Sequence, residues 1–110
     1  MNRFNNVENL KKYKHIHMIG IGGISMSGVA EILHNWGIYV TGSDCTKSRI
    51  TDRLSSHGIY VTIGHDTKLV QEADLAIYSA AVKQDDPELV AARNKNIEII
   101  ERADFVRLFD

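Results

Sequence analysis

Short apolar runs alternate with amphipathic segments along nearly the whole chain. The apolar runs are rich in β-branched residues and end at a glycine or a polar residue, as buried strands do. The longer segments between them have apolar residues at helical spacing, and two are followed by a glycine that suits a helix end. The pattern predicts strands at 15–19, 38–44, 59–64, 75–78 and 97–100, and helices at 24–36, 48–57, 67–72, 87–96 and 102–109.

This alternation favours a parallel sheet. Two neighbouring parallel strands must be joined by a crossover, and the crossover is usually a helix on a right-handed path. We therefore expect an α/β fold of the Rossmann-like kind, with helices on both faces of a five-stranded sheet in the order 3-2-1-4-5. The sequence shows no repeat or linker-like stretch within 15–110, which we interpret as one domain after a polar segment at 1–14.

Composition narrows the possible partners and compartments. The 110 residues carry 13 basic and 14 acidic side chains, and the basic ones do not cluster. Nucleic acid and anionic membranes are therefore not expected partners. No stretch reaches the ~20 apolar residues of a membrane span, and the polar start lacks the apolar centre of a signal peptide. We expect a cytoplasmic protein, and the single cysteine, Cys45, agrees with a reducing compartment.

A glycine-rich loop joins the first predicted strand to the first predicted helix. Gly20 and Gly22 have the spacing of the first two glycines in a dinucleotide-binding fingerprint, but Ser25 stands where the third glycine belongs. Gly20 suits a tight turn, and Gly22 suits a close approach of the backbone to a phosphate at the helix N-terminus. Asp44 ends the second strand, where such domains place an acid for a ribose hydroxyl. The loop predicts phosphate binding; the alternative is a tight turn without a ligand.

Five separate segments of the chain carry a more specific signal. They are HMIGIGGISMSGVAEIL at 17–33, GIYVTGSD at 37–44, GH at 64–65, YSAAVKQDDPEL at 78–89 and IERADFVRLF at 100–109. Together and in this order they resemble the amino-terminal domain of the Mur ligases, and most closely the member that adds L-alanine. The resemblance implies a Rossmann-like module that binds the UDP part of UDP-N-acetylmuramate rather than a nicotinamide cofactor.

The resemblance also implies which residues form the site. The backbone N–H groups from Gly22 to Ser27 would donate to the diphosphate, and Ser43 and Asp44 would lie near the uridine. His65 would lie beside the uridine or the phosphates, and three small residues after the fourth strand would line the pocket. The full predicted set is Gly20, Gly22, Gly23, Ile24, Ser25, Met26, Ser27, Ser43, Asp44, His65, Ser79, Ala80, Ala81 and Arg102.

Structural roles remain open for several of these residues. His65 is equally well explained as a surface turn residue, and Ser79 as a cap of its loop. Asp44 is also suited to capping the second helix or the turn before it. Arg102 follows the fifth strand and is otherwise the solvated start of a helix. The two histidines of the first strand are expected to be structural, with alternating exposure.

The sequence has none of the motifs that would let these residues catalyse on their own. It lacks the phosphate loop that cradles ATP, metal-ligand spacing for Mg²⁺ and a nucleophile beside a base. We therefore expect no catalytic residue, metal ligand or cofactor in this chain. The resemblance implies that other domains of a longer, ADP-forming amide ligase of peptidoglycan synthesis supply ATP, Mg²⁺ and L-alanine, with this fragment inactive alone.

Two other classes of protein compete with this interpretation. One is the NAD(P)-binding domain of a dehydrogenase, or a nucleotide-sensing regulatory module, for which Asp44 would be a suitable ribose ligand. The other is a structural or protein-interaction module without a small ligand. Binding of UDP compounds without NAD favours the ligase, the reverse favours the dehydrogenase or sensor, and binding of neither favours the interaction module.

Overall fold

The predicted alternation of strands and helices is present in the structure. The computed structural model describes residues 12–107, so most of the polar segment at 1–14 and the predicted helix end at 108–109 lie outside the described residues. Within 12–107 each element agrees with its predicted bounds to a residue or two, and none of the helices is long and apolar enough to cross a membrane. The elements are β1 (His15–Ile19), α1 (Ile24–Asn35), β2 (Tyr39–Asp44), α2 (Arg49–Ser56), β3 (Tyr60–Ile63), α3 (Thr67–Gln71), β4 (Leu75–Tyr78), α4 (Pro87–Asn94), β5 (Glu98–Glu101) and α5 (Arg102–Arg107).

The five strands form one parallel sheet in the order β3-β2-β1-β4-β5, which confirms the predicted topology. In the central strand β1, Ile19 pairs with Ser43 of β2 on one side and with Tyr78 of β4 on the other. After β3 the chain returns past β1 to build β4 and β5 on the opposite side. The loops that follow β1 and β4 therefore separate, and doubly wound sheets bind their ligands in the crevice that opens there.

Helices cover both faces of the sheet. On one face, α1, α2 and α5 contribute Leu33, Leu54 and Phe105 to a large apolar core. On the other face, α3 and α4 contribute Val70 and Ala92 to a smaller one. A central strand covered in this way has no solvent-facing side, and every residue of β1 is buried. The expectation that the two histidines of β1 alternate in exposure is therefore wrong.

Side-chain caps tie the loops at the carboxyl edge of the sheet to the helices that follow them. Ser48 caps α2, Asp66 caps α3, and Asp86 caps α4 beside Pro87 at the first helical position. α1 differs, because Gly23 at its cap has no side chain to accept from the first N–H groups. The N-terminus of α1 therefore keeps backbone donors at the carboxyl edge of the sheet.

Candidate functional site

A cleft of about 650 Å³ opens at the carboxyl ends of β1, β2 and β4. The glycine loop before α1 forms one side of it, and the loops after β2, β3 and β4 form the rest. The fold thus brings together segments that are far apart in the sequence but were predicted to share one site. The predicted site residues that line the cleft are Gly20, Gly23, Ser43, Asp44, His65, Ser79 and Ala81.

Gly20 makes the tight turn that the sequence predicts. Its φ of +84° lies in the left-handed region, and a Cβ at this position would come within 2.8 Å of Ser79 Oγ. The N–H groups of Gly20 and Ile21 both donate to the carbonyl oxygen of Ser43, at 2.9 and 3.0 Å. These two hydrogen bonds fasten the glycine loop to the end of β2.

A second anchor of the loop, Gly42 inside β2, was missed by the sequence analysis. The buried side chain of Ile21 packs directly on Gly42, where an added methyl group would overlap Ile21 and lie 2.9 Å from the carbonyl oxygen of Met18. A glycine within a predicted strand is the sequence signal for such a close approach. Ser25, by contrast, is exposed on the first turn of α1, so a serine in place of the third glycine does not obstruct packing against the sheet.

The N-terminus of α1 offers fewer free donors than the six N–H groups of the prediction. The Gly22 N–H already donates to Asp44 Oδ2 at 2.9 Å, and the Gly23 N–H donates to the carbonyl oxygen of Gly20 at 3.3 Å. The Ser27 N–H makes the first bond within the helix, to the carbonyl oxygen of Gly23 at 2.8 Å. The N–H groups between them, at positions 24–26, are the ones that a helix cannot satisfy itself. These three N–H groups form the donor set that remains for an anion.

Asp44 lines the cleft and also holds its backbone in place. Oδ2 accepts from Gly22, and Oδ1 accepts from the N–H of Thr46 at 3.0 Å, which closes the turn after β2. Asp44 does not cap α2, since Ser48 fills that role. The alternative role of Asp44 is therefore confirmed for the turn and wrong for the helix, and the carboxylate also clamps the glycine loop.

The other predicted residues divide between the cleft and its surroundings. Met26 is buried in the core and Ser27 is buried in α1, so neither side chain lines the cleft. His65 is exposed, and its Nδ1 lies 3.7 Å from Asp86 Oδ2 across the cleft mouth. Ser79 is half-buried against the glycine loop, whereas Ala80 is exposed and is not among the lining residues. Arg102 begins α5 at the far edge of the sheet, next to β5, and does not line the cleft either.

Glu88, in the first turn of α4, was also missed by the sequence analysis. Its side chain has 0% exposure, and it accepts from Ser43 Oγ at 2.5 Å and from the N–H of Asp66 at 3.0 Å. His17 Nε2 lies 3.5 Å from its Oε1. Burial disfavours the ionised carboxylate and by itself would raise the pKa of Glu88. The hydrogen bonds from His17, Ser43 and Asp66 outweigh burial and hold that pKa below its ordinary value.

A buried line of polar side chains continues from Glu88 along the centre of the sheet. Thr41 Oγ1 stands between His17 Nδ1 at 2.8 Å and His15 Nε2 at 2.7 Å. Because the hydroxyl has one proton, it donates to one ring and accepts from the other. Burial lowers the pKa of His15 below its ordinary value, although the carbonyl oxygen of Glu72 and the carboxylate of Asp74 oppose that shift.

Within the described residues, His65, Asp86 and Glu88 can each present one ligand atom within 4.8 Å of the others. Asp86 Oδ1 already accepts from the N–H groups of Glu88 and Leu89, and Glu88 Oε1 accepts from Asp66. Mg²⁺ requires an octahedral shell of oxygen atoms. One imidazole and two engaged carboxylates do not fit Mg²⁺, so we assign no role to such an ion in this cleft.

The charges around the cleft are unevenly placed. Its side chains include three carboxylates, from Asp44, Asp85 and Asp86, against one ammonium group, from Lys83. Side-chain charge therefore does not attract an anion here. The positive end of the α1 dipole and the N–H groups at 24–26 favour an anion. These three positions directly follow the lining residue Gly23 but do not themselves line the cleft. The carboxylates suit hydroxyl donors instead, and this arrangement matches a ligand with phosphate at one end and a diol at the other.

Comparison with known proteins gives an independent result. The family model described as "Mur ligase family, catalytic domain" matches residues 15–109. The UDP-N-acetylmuramate–L-alanine ligase of Clostridium botulinum (strain Kyoto / Type A2) is 50% identical over 95 residues, which are 86% of this chain and 21% of that protein. The enzyme of the same name from Acetivibrio thermocellus is 52% identical over 92 residues, which are 84% of this chain and 20% of that protein.

A solved structure shows the same relationship in three dimensions. The UDP-N-acetylmuramate-alanine ligase of Thermotoga maritima superposes with a TM-score of 0.82 at 37% sequence identity, over 86% of this chain and 22% of that one. The chain thus spans about a fifth of the length of these relatives, 20–22% in each case.

Proposed function

The chain belongs to the Mur ligase family, and we propose that it is the nucleotide-binding domain of a UDP-N-acetylmuramate–L-alanine ligase. Its ligand in this proposal is the UDP part of UDP-N-acetylmuramate. Support comes from the curated relatives of that name and from the position of the cleft at the point where the strand order reverses.

The observation that carries the proposal is the pairing of unlike groups at the glycine-loop side of the cleft. α1 begins without a side-chain cap and has no acidic residue in its first turn, so an anion meets backbone donors there. Asp44 lies beside this helix end and offers carboxylate oxygens. In the proposed complex the diphosphate binds the N–H groups at 24–26, and the ribose hydroxyls donate to Asp44.

The rest of the reaction is assigned to parts of the ligase outside this chain. In the proposed reaction the muramate carboxylate takes the terminal phosphoryl group of ATP, which leaves ADP and an acyl phosphate. The amine of L-alanine then attacks the acyl carbon, an amide bond forms, and phosphate leaves. When bound, Mg²⁺ and ATP would supply this phosphoryl transfer; the residues described here bind and orient the nucleotide end of the other substrate.

Binding by the chain alone should be weak. Three N–H bonds to phosphate at about 1.5–3 kcal/mol each, with about 1 kcal/mol from the helix terminus, must offset an association cost of at least ~4 kcal/mol. The net binding free energy is then about 1.5–6 kcal/mol, so the dissociation constant for UDP is expected at roughly tens of micromolar to tens of millimolar.

Calorimetric titration of the chain with UDP-N-acetylmuramate, UDP and NAD tests the proposal. We expect the first two ligands to bind in the stated range and NAD to bind at least about tenfold more weakly. In a parallel assay the chain with ATP, Mg²⁺, L-alanine and UDP-N-acetylmuramate should release no phosphate. NAD binding tighter than UDP binding would favour a dehydrogenase or sensor, and binding of none of the three would leave an interaction module.

A further inference from the structure

One buried charge lies beneath the cleft without lining it. Glu88 has 0% exposure, and its three partners come from three different parts of the chain. Ser43 belongs to the end of β2, Asp66 to the loop before α3, and His17 to the central strand β1. A single carboxylate therefore joins the sheet to two of the segments that surround the cleft.

Two of the three partners of Glu88, Ser43 and Asp66, are connected in turn to a wall of the cleft. Ser43 donates its hydroxyl to Glu88 and, through its carbonyl oxygen, holds the N–H groups of Gly20 and Ile21 in the glycine loop. Asp66 directly follows Gly64 and His65, which line the cleft. The Gly64 N–H donates to the carbonyl oxygen of Asp44 at 2.8 Å, so this loop is also fixed to β2.

The surroundings of Glu88 favour an ionised carboxylate despite its burial. Its own helix, α4, presents its N-terminus at this position, where negative charge is stabilised. The imidazole of His17 approaches from β1, and the Ser43 hydroxyl and the Asp66 N–H approach from the other segments. An apolar residue of similar volume would fill the space but would leave these donors without an acceptor.

We propose, on the basis of the proposed function, that Glu88 is a positioning residue of the nucleotide cleft. It does not touch the ligand. It holds the end of β2 and the loop after β3 at fixed distances from the N-terminus of α4, and through Ser43 it fixes the glycine loop that leads into α1. Loss of its charge loosens both walls of the cleft and weakens nucleotide binding more than it weakens the fold.

Glu88→Gln is the sharpest variant, because it keeps the shape of the side chain. The carboxamide oxygen can still accept from His17 and Asp66, whereas the NH2 group takes the place of the oxygen that accepts from Ser43 Oγ. Ser43 then has to accept from a neutral amide, and the charge-assisted hydrogen bond is lost. Glu98→Gln is the matched control, since Glu98 also accepts a side-chain hydrogen bond, from Tyr13 at 2.8 Å, but lies at the amino end of β5, away from the cleft. Ser43→Ala is the second variant, since it removes the hydroxyl that donates to Glu88 and leaves the carboxylate in place.

Amide hydrogen exchange of the ligand-free chain is the first readout. In Glu88→Gln we expect the amides of Gly20 and Ile21 to exchange about tenfold faster than in the parent. The Asp66 amide should also exchange faster, because a neutral carboxamide oxygen is a weaker acceptor than a carboxylate, while amides near Tyr13 are unchanged. Glu98→Gln should show the opposite pattern. Unchanged exchange of the Gly20 and Ile21 amides in both Glu88→Gln and Ser43→Ala would overturn the positioning role, whatever the ligand proves to be.

UDP affinity is the second readout. A double-mutant cycle of Glu88→Gln and Ser43→Ala separates an effect on the geometry of the cleft from a general loss of stability. We expect Glu88→Gln to weaken UDP binding by about tenfold and Glu98→Gln to change it by less than about twofold. Because Glu88 and Ser43 act as one unit, the double variant should bind no more weakly than Glu88→Gln alone. Parent-like UDP binding by Glu88→Gln would overturn the proposal, as would additive effects in the cycle.

Failure of the proposed function gives a different result. In that case the parent chain itself fails to bind UDP, while the exchange measurement still decides whether Glu88 holds the cleft segments. The two proposals are therefore tested separately by the same set of variants.

Discussion

Ile24→Pro should remove one backbone donor from the N-terminus of α1 while leaving the helix in place. Proline is favoured at the first helical position, where its missing N–H takes no bond from the helix. The preceding residue, Gly23, has φ −67° and ψ 152°, which is the extended conformation that proline requires of its predecessor. The side chain of Ile24 is 83% exposed, so its replacement disturbs no core packing.

The expected loss of affinity follows from the one hydrogen bond that disappears. An N–H that donates to a phosphate oxygen contributes about 1.5–3 kcal/mol net, which corresponds to about 10- to 150-fold in the dissociation constant. Titration with UDP should therefore show a weakening within this range. Thermal unfolding should change by only a few degrees, because no buried contact is lost.

Ile24→Ala is the matched control, because it removes the same side chain and keeps the N–H. We expect it to bind UDP within about twofold of the parent chain. If Ile24→Pro were folded and bound UDP as tightly as Ile24→Ala, the Ile24 N–H would not hold the diphosphate, and our placement of the ligand on α1 would be refuted.

Three further predictions concern the glycine loop and the buried polar side chains of the sheet. Gly22→Ala places a Cβ 2.8 Å from Asp44 Oδ2 and should destabilise the chain by about 1–3 kcal/mol, because the hydrogen bond from the Gly22 N–H to Asp44 is lost. Gly28→Ala is the control within α1: its added Cβ meets nothing within 4 Å, so it should stabilise the chain by about 0.5–1 kcal/mol. Urea unfolding distinguishes these opposite signs, and two equal effects would contradict the clamp. Thr41→Val leaves two buried imidazoles without their shared partner and should cost about 2–4 kcal/mol in the same assay, so a neutral result would show that the hydrogen bonds contribute nothing. Because burial lowers the pKa of His15, the unfolded chain takes up a proton below about pH 6.5 that the folded chain does not, and stability should fall as pH decreases through that value. His15→Gln should remove this part of the decline, and an unchanged pH profile would contradict it.

The fold was predictable because its signals are local. Helical spacing, β-branched runs and glycines after helices each depend on neighbouring residues, and the crossover rule then limits the order of parallel strands. The position of the cleft also follows from topology, since the strand order reverses beside β1. Residues that end strands, such as Asp44 and Ser79, could therefore be placed at one edge before the structure was known.

The missed features depend on contacts between residues that are distant in the sequence. Glu88 meets His17 across 71 positions and Ser43 across 45, and no periodicity connects them. The Gly22 N–H was predicted to face a phosphate, but only the folded chain shows Asp44, which is 22 positions away, accepting its hydrogen bond. Gly42 had a usable local signal as a glycine within a strand, and its significance lies in the Ile21 side chain that packs on it.

A titration of the ¹⁵N-labelled chain with UDP, followed amide by amide and repeated with NAD, tests the central claim most directly. Our account predicts that UDP shifts the amides at 24–26 and those beside Asp44, while NAD shifts the same amides little. Larger shifts with NAD, or UDP shifts confined to residues outside the cleft, would contradict the assignment of this site to the nucleotide of UDP-N-acetylmuramate.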